Sequence, residues 1–320
     1  MHYIRMNIVV TGGAGFIGST LIERLLRDKH RVVCIDNFDP YYDPNIKKKN
    51  IRDLQKNSLL TFVRGDIRKK SSLSSILKKY TPETIIHLAA KVGVRASILY
   101  PREYMETNLG ATRYVLDSMV AHSIPNIIFA SSSSVYGNSS NILFSERNIC
   151  EPISPYGVSK YEAEKLIAQY KKKYNFHATI LRFFTVYGPK GRPDMAPYLF
   201  VDRISKGKPI TKFGTGESKR DYTYVDDIVD GIVRAIHKKY TFEIMNLGSG
   251  RPISLNRFIH LAEKLITKQA IIQESSIQPG ELSLTHADIR RAKKLLGYKP
   301  KVKIEEGLHR LIRWYHTETK

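Results

Sequence analysis

Short apolar runs rich in β-branched residues recur along the chain. They are Ile8-Val9-Val10, Val32-Val33-Cys34-Ile35, Leu60-Thr61-Phe62-Val63, Ile85-Ile86-His87-Leu88, Ile127-Ile128-Phe129-Ala130, Ala178-Thr179-Ile180-Leu181 and Ile244-Met245-Asn246-Leu247. Near-continuous apolar runs predict strands buried on both faces, as in a parallel sheet. Helical stretches separate them, which predicts a doubly wound α/β fold of Rossmann type. Ligands of such sheets bind beyond the carboxyl ends of the strands. The residues just after each run are therefore candidates: Asp36, Asp66, Ala89-Ala90, Ser131 to Ser134, and Phe183 to Thr185. After Thr185 the texture becomes irregular, with Gly188-Pro189-Lys190-Gly191-Arg192-Pro193, then Pro209, Gly214, Gly216, Gly248, Gly250 and Pro252. That change predicts a smaller, mostly C-terminal substrate-binding domain, residues 183–224 and 251–320. The main domain takes residues 1–182, and residues 225–250 return to its sheet.

The first run leads into Thr11-Gly12-Gly13-Ala14-Gly15-Phe16-Ile17-Gly18. Gly12, Gly15 and Gly18 have distinct tasks in a strand–turn–helix unit. They allow the tight turn, the approach of backbone to a pyrophosphate, and close packing of helix on sheet. The positive end of the helix then faces the phosphates. The second run ends in Asp36, where an acidic residue can accept hydrogen bonds from a ribose hydroxyl pair. A carboxylate also repels an added 2′-phosphate, and positions 37 and 38 are Asn37 and Phe38 rather than Arg. The expected cofactor is NAD in preference to NADP.

Bulk properties narrow the class. The 320 residues suit one large α/β domain, or a main domain with a satellite. The formal net charge is +22, which raises the question of nucleic acid. The basic residues, however, are scattered in short groups such as Lys47-Lys48-Lys49 and Lys171-Lys172-Lys173, several late in helices where cations suit the dipole. No interleaved aromatic platform accompanies them, so nucleic-acid binding is not expected. A positive surface would draw in an anionic substrate. Cys34 and Cys150 are too few for a disulfide framework, and Cys34 reads as a core residue. No charged-then-apolar leader precedes the first strand, and no apolar run reaches membrane-spanning length. A cytoplasmic protein is expected, with no membrane and no metal site.

The fifth run ends in Ser131-Ser132-Ser133-Ser134-Val135-Tyr136-Gly137, and Ser154-Pro155-Tyr156-Gly157-Val158-Ser159-Lys160 follows. Tyr156 and Lys160 are spaced i, i+4, so they share one helix face. A free tyrosine has a pKa near about 10. A fixed ammonium one turn away, with the charge of an oxidised nicotinamide, favours the phenolate. Tyr156 can then take a proton from a substrate hydroxyl as hydride leaves the same carbon. A serine at the preceding strand end can hydrogen-bond that hydroxyl.

Together these segments resemble the extended short-chain dehydrogenase/reductase family over nearly the whole chain, and within it the nucleotide-sugar 4-epimerases. Further support comes from Leu181-Arg182-Phe183-Phe184-Thr185-Val186-Tyr187-Gly188-Pro189 and Arg220-Asp221-Tyr222-Thr223-Tyr224-Val225-Asp226-Asp227. The resemblance implies that Ser132, Tyr156 and Lys160 form the catalytic set. It implies that Phe16, Ile17, Asn37, Leu88, Ala89 and Ala90 line the cofactor. Asp66-Ile67 would flank the adenine, and Asn108 and Phe183 would lie near the cofactor. Arg220 would hold the nucleotide diphosphate, and Arg95 would join the substrate contacts. A homodimer built through helices near 103–121 and 156–174 is a further implication.

Two features address the sugar. Relatives that eliminate water or decarboxylate carry acidic residues just after the catalytic Ser/Thr, where this chain has Ser133 and Ser134. Simple oxidation and re-reduction is what remains. Tyr41-Tyr42-Asp43, Gly191-Arg192-Pro193-Asp194-Met195-Ala196, Gln278-Pro279-Gly280-Glu281 and Thr285-His286-Ala287-Asp288-Ile289 resemble segments of UDP-glucuronate 4-epimerases. By that resemblance Ser133, Ser134, Thr185 and Arg192 surround a sugar carboxylate. Three hydroxyls and a guanidinium can saturate its oxygens. Glu281 replaces a more usual Asp, which weakens its implied ribose contact. The implied reaction turns UDP-glucuronate into UDP-galacturonate through a 4-keto sugar, with NAD regenerated each turn. A 4-epimerase of UDP-glucose/UDP-galactose, an N-acetylated sugar or a pentose would need no carboxylate pocket. A non-catalytic NAD-binding scaffold is the alternative of a different class.

Overall fold

A computed structural model of the chain describes residues 5–138, 142–276 and 282–318. Glu281 and its neighbours Gln278-Pro279-Gly280 lie outside the described residues. Each apolar run forms one strand of a seven-stranded parallel sheet. The first six are β1 (Asn7–Thr11), β2 (Arg31–Asp36), β3 (Leu60–Arg64), β4 (Thr84–His87), β5 (Asn126–Ser132) and β6 (His177–Phe183). Across the sheet the order is Phe242–Leu247, β6, β5, β4, β1, β2, β3. The chain winds outward from β1 to β3 and then restarts at β4 on the other side of β1. That reversal opens a crevice at the carboxyl ends of β1 and β4. Thr11 stands in register with Ile35 on one side and His87 on the other.

Helices cover both faces. Helix α1 (Phe16–Arg27) buries Leu21, Ile22, Leu25 and Leu26 against Ile8 and Val10. On the opposite face Val115, Leu116 and Met119 of Ala111–Ala121 join Ala163, Leu166 and Ile167 of the long helix Pro155–Lys173 over Val9, Ile85 and Ile127. Fully burying each such aliphatic side chain contributes about 1.5–3 kcal/mol. The long helix begins where Ser154 Oγ accepts from the Gly157 N–H at 3.1 Å, with Pro155 in the first turn, and ends on Lys171, Lys172 and Lys173. The cap and the basic last turn suit the two ends of the helix dipole.

Past β6 the short strands pair locally. Thr185–Tyr187 lies beside Tyr222–Tyr224, Ile210–Phe213 beside Ile272–Ser275, and Lys219–Arg220 beside Ile253–Ser254. The helix Val225–Ile236 packs on α1 and leads into Phe242–Leu247, the return to the main sheet expected from the sequence. Asp221 is the buried fastener of this region. Its oxygens accept from the N–H groups of Ser249, Gly250 and Ala287 at 2.7, 2.9 and 3.1 Å. Two segments, around 249–250 and around 287, are thereby tied to the residue next to Arg220.

Candidate active site

A cavity of about 680 Å³ opens at the carboxyl ends of the strands and runs on to the residues beyond β6. All the residues singled out by sequence reach it except Asn108 and the undescribed Glu281. At one end is the glycine turn. Gly12 has φ +70°, and a Cβ there would stand 2.7 Å from Ala89 N on the neighbouring strand end. A Cβ on Gly18 would stand 2.3 Å from the Gly12 carbonyl. Both positions therefore require glycine. Gly15 precedes α1 with no side-chain cap, so the free N–H groups of the first turn are open to a bound anion.

Asp36 closes this end. Its Oδ2 accepts from Ala14 N–H at 3.0 Å and its Oδ1 from Phe38 N–H at 2.8 Å. Each oxygen keeps a second lone pair for a ribose hydroxyl. Burial raises the Asp36 pKa, partly offset by the Phe38 N–H and by the Lys47 ammonium. Asp66 behaves oppositely. Its hydrogen bonds to Arg68, at 2.6 Å for the closest, hold its pKa down at about 2. Asn37 Nδ2 also donates to it, at 3.1 Å. A backbone nest, an uncapped helix start and a buried acceptor pair fit a dinucleotide.

Asn108 does not itself line the cavity. It is fully buried behind the cavity wall, in the π-helical turn Met105–Gly110. Its amide bonds to Lys91 N and O at 2.8 and 2.9 Å and to Ser159 Oγ at 2.8 Å. Those bonds occupy its polar groups and fasten the loop after β4 to the long helix.

In the middle, β5 delivers Ser132 and the long helix delivers Tyr156 and Lys160. Ser132 hydrogen-bonds the Tyr156 phenol. The Ser132 Oγ also accepts from Ser134 N–H at 3.1 Å. The Tyr104 ring packs edge-on to Tyr156 at 6.2 Å. Burial raises the Tyr156 pKa above its ordinary value, opposed by the Ser132 bond and the Arg192 charge. Lys160 stands one helical turn from Tyr156. Its amine lies over the Phe129 ring at 4.2 Å, and burial draws its own pKa down to about 7, with Glu164 pulling the other way. The physical reason is shared desolvation, which penalises the charged form of both groups.

Behind them lies a buried ion pair that the sequence did not disclose. Arg182 on β6 donates to Glu164 through Nε at 3.0 Å and Nη2 at 2.7 Å. Ser131 Oγ donates to the same carboxylate. Glu164 stands one turn beyond Lys160, a spacing that could have pointed to it. Both side chains are only 3% exposed. Glu164→Ala should therefore destabilise the fold by about 3–5 kcal/mol, because it strands a buried guanidinium. Denaturant unfolding measures this, and a loss below about 1 kcal/mol, within the range of exposed pairs, would refute it. His87 is structural. Its Nδ1 and Nε2 pair with the hydroxyls of Thr11 and Thr112 at 2.7 and 3.0 Å, and burial, then the Lys160 charge, lowers its pKa to about 3.

Ser133, Ser134, Thr185, Arg192 and Arg220 also line the cavity. Arg95 reaches across the cleft, its guanidinium 4.1 Å from the Phe213 ring centre. Phe213 is a lone aromatic in a short strand, and no local signal marked it. Asp194 lines the cavity beside Arg192. Burial raises its pKa, but the Arg192 bond and charge overcome this and leave it below the ordinary carboxylate range. Among the described residues no group of three or more His, Cys, Asp or Glu could hold a metal ion, and no helix is long and apolar enough to cross a membrane.

The chain is similar to known proteins over nearly its whole length. Residues 9–311 match the family described as GDP-mannose 4,6 dehydratase. A UDP-glucuronate 4-epimerase of Thermodesulfobacterium geofontis is 39% identical, over 96% of this chain and 95% of that one. The Bacillus cereus UDP-glucuronic acid 4-epimerase, solved with UDP-glucuronic acid and NAD, superposes with a TM-score of 0.93 at 38% identity, over 98% of this chain and 100% of that one. The UDP-glucose 4-epimerase of Thermotoga maritima, solved with UDP-glucose, gives 0.92 at 30% identity, over 98% and 100%. By its sheet order, its cavity and these matches, the chain belongs to the family described as GDP-mannose 4,6 dehydratase, within the extended short-chain dehydrogenases/reductases.

Proposed function

We propose that the protein is an NAD-dependent 4-epimerase that interconverts UDP-glucuronate and UDP-galacturonate. The observation that carries this reading is the makeup of the cavity at the carboxyl ends of the strands. Ser133, Ser134, Thr185 and Arg192, a set able to bind a carboxylate, share it with Ser132, Tyr156 and Lys160. The positions that would carry an acid for elimination hold serines, and Asp194 is kept ionised by Arg192. This favours epimerisation over the dehydration in the family's description. The relatives from Thermodesulfobacterium geofontis and Bacillus cereus point the same way.

Residues 1–182 with 225–250 hold the cofactor in this reading, and residues 183–224 with 251–320 hold the sugar nucleotide. NAD, when bound, supplies the acceptor and later the donor of a hydride. The chain's own residues handle the proton and the orientation. Tyr156 Oη takes the proton of the carbon-4 hydroxyl, and Ser132 shares the hydrogen bond. Lys160 holds the cofactor ribose beside them, and Arg220 holds the diphosphate. The 4-keto sugar turns over within the site, and Tyr156 returns its proton as the opposite epimer forms. No second substrate is consumed. We also place the protein in the cytoplasm as a homodimer through helices near 103–121 and 156–174. An apolar patch at Leu99 and Tyr100, just before the first of these, supports that surface.

Purified protein incubated with a panel of UDP-sugars, without added NAD, tests the reading. UDP-glucuronate should give UDP-galacturonate, and denatured protein should release NAD. Turnover confined to UDP-glucose, or to no sugar, would refute the uronate assignment. The Thermotoga maritima match makes UDP-glucose the comparison that matters most.

A further inference from the structure

Arg192 is gripped from one side. Its Nε donates to Asp194 Oδ1 at 3.0 Å and its Nη2 to Oδ2 at 2.5 Å. Tyr41 comes from the loop after β2, 153 residues earlier, and its hydroxyl donates to the same Oδ2 at 3.1 Å. The Tyr41 ring also faces the guanidinium, 5.5 Å from ring centre to Cζ. Gly93 makes room for this cluster. It has φ +98°, and a Cβ there would stand 2.5 Å from the Tyr41 hydroxyl. All four residues line the cavity.

A guanidinium has two edges that can meet a carboxylate. The Asp194 grip is side-on, through Nε and Nη2. Two of the guanidinium's five N–H groups go to Asp194 and one to Tyr41, which leaves two as a free edge for another acceptor. Asp194 itself is fixed by Tyr41, so the free edge is aimed rather than loose. We propose that Asp194, held by Tyr41, is the positioning residue that makes the site selective for a sugar carboxylate. This rests on the uronate reading above. The opposite arrangement is an Asp194 that occupies the carboxylate's place and must be displaced. That exchange would break two charge-assisted hydrogen bonds to Arg192, and it predicts the opposite sign.

The test compares Asp194→Asn and Tyr41→Phe with wild-type protein on UDP-glucuronate and UDP-glucose. KM, kcat and the Kd of each sugar nucleotide are measured on NAD-loaded protein. We expect the preference for UDP-glucuronate to fall by about 10- to 100-fold in Asp194→Asn, mainly through KM, since small misplacement of a binding group costs that much. Tyr41→Phe should fall in the same direction by less, and it removes only one hydroxyl should Asp194→Asn fail to fold. Tighter UDP-glucuronate binding in Asp194→Asn would overturn the proposal in favour of a displaced carboxylate. Equal losses on both sugars in both variants would also overturn it, since a merely structural role does not discriminate. A wild-type protein with no preference for UDP-glucuronate would instead refute the uronate reading, and this proposal with it.

Discussion

Tyr156→Phe is expected to lower turnover by about 100- to 10,000-fold, the range for a general acid–base group, while NAD stays bound. The substitution removes one oxygen and little volume. The ring should keep its place beside Tyr104, so cofactor retention should survive. The pH profile supplies a second readout. Burial raises the Tyr156 pKa in the protein alone, and the charge of bound oxidised nicotinamide opposes that shift. kcat/KM should therefore climb with rising pH in the wild type, because that parameter reports ionisations of the free enzyme. Tyr156→Phe should lose that limb. A variant with the wild-type rate, or with an unchanged alkaline limb, would show that another group moves the proton. Lys160→Ala should behave differently and release NAD, since the lysine is assigned to the cofactor ribose.

Arg192→Ala should weaken UDP-glucuronate use by about 2–5 kcal/mol, the cost of losing one partner of a desolvated charge pair, or about 30- to 4,000-fold. UDP-glucose should lose much less, because it brings no carboxylate to the site. Two penalties add for the uronate: the sugar's carboxylate loses its counter-ion, and Asp194 is left as a second anion nearby. Product identity sharpens the result. The 4-keto form of a uronic acid is a β-keto acid, which loses carbon dioxide when its carboxylate bond aligns with the carbonyl π system. Ser133, Ser134 and Thr185 can hold the carboxylate out of that alignment. Thr185→Val should then release some UDP-4-keto-pentose, detected by mass spectrometry. Equal losses on both sugars in Arg192→Ala would mean that Arg192 reads the shared nucleotide.

Much of this protein is determined by local sequence. The seven apolar runs become the seven strands because a strand buried on both faces has no polar alternation to confuse its reading. The glycine turn was legible for a steric reason, since no side chain fits at Gly12 or Gly18. Tyr156 and Lys160 share a face because helix geometry alone brings i and i+4 together. What these residues feel was not legible. Burial pushes the Tyr156 pKa up and the Lys160 pKa down to about 7, and Arg192, from a distant segment, opposes the first shift. Desolvation belongs to the packed surroundings, not to the spacing. The same holds for contacts between segments far apart in sequence. Tyr41 with Asp194, Arg95 with Phe213, and Glu164 with Arg182 meet only because parallel crossovers bring strand ends and loops to one rim. Asn108 is a further case, since only the fold brings it to the Lys91 backbone and the Ser159 hydroxyl. Local periodicity and sterics decided the elements and the reacting pair, and tertiary packing decided charge, orientation and which face of Arg192 is left for a ligand.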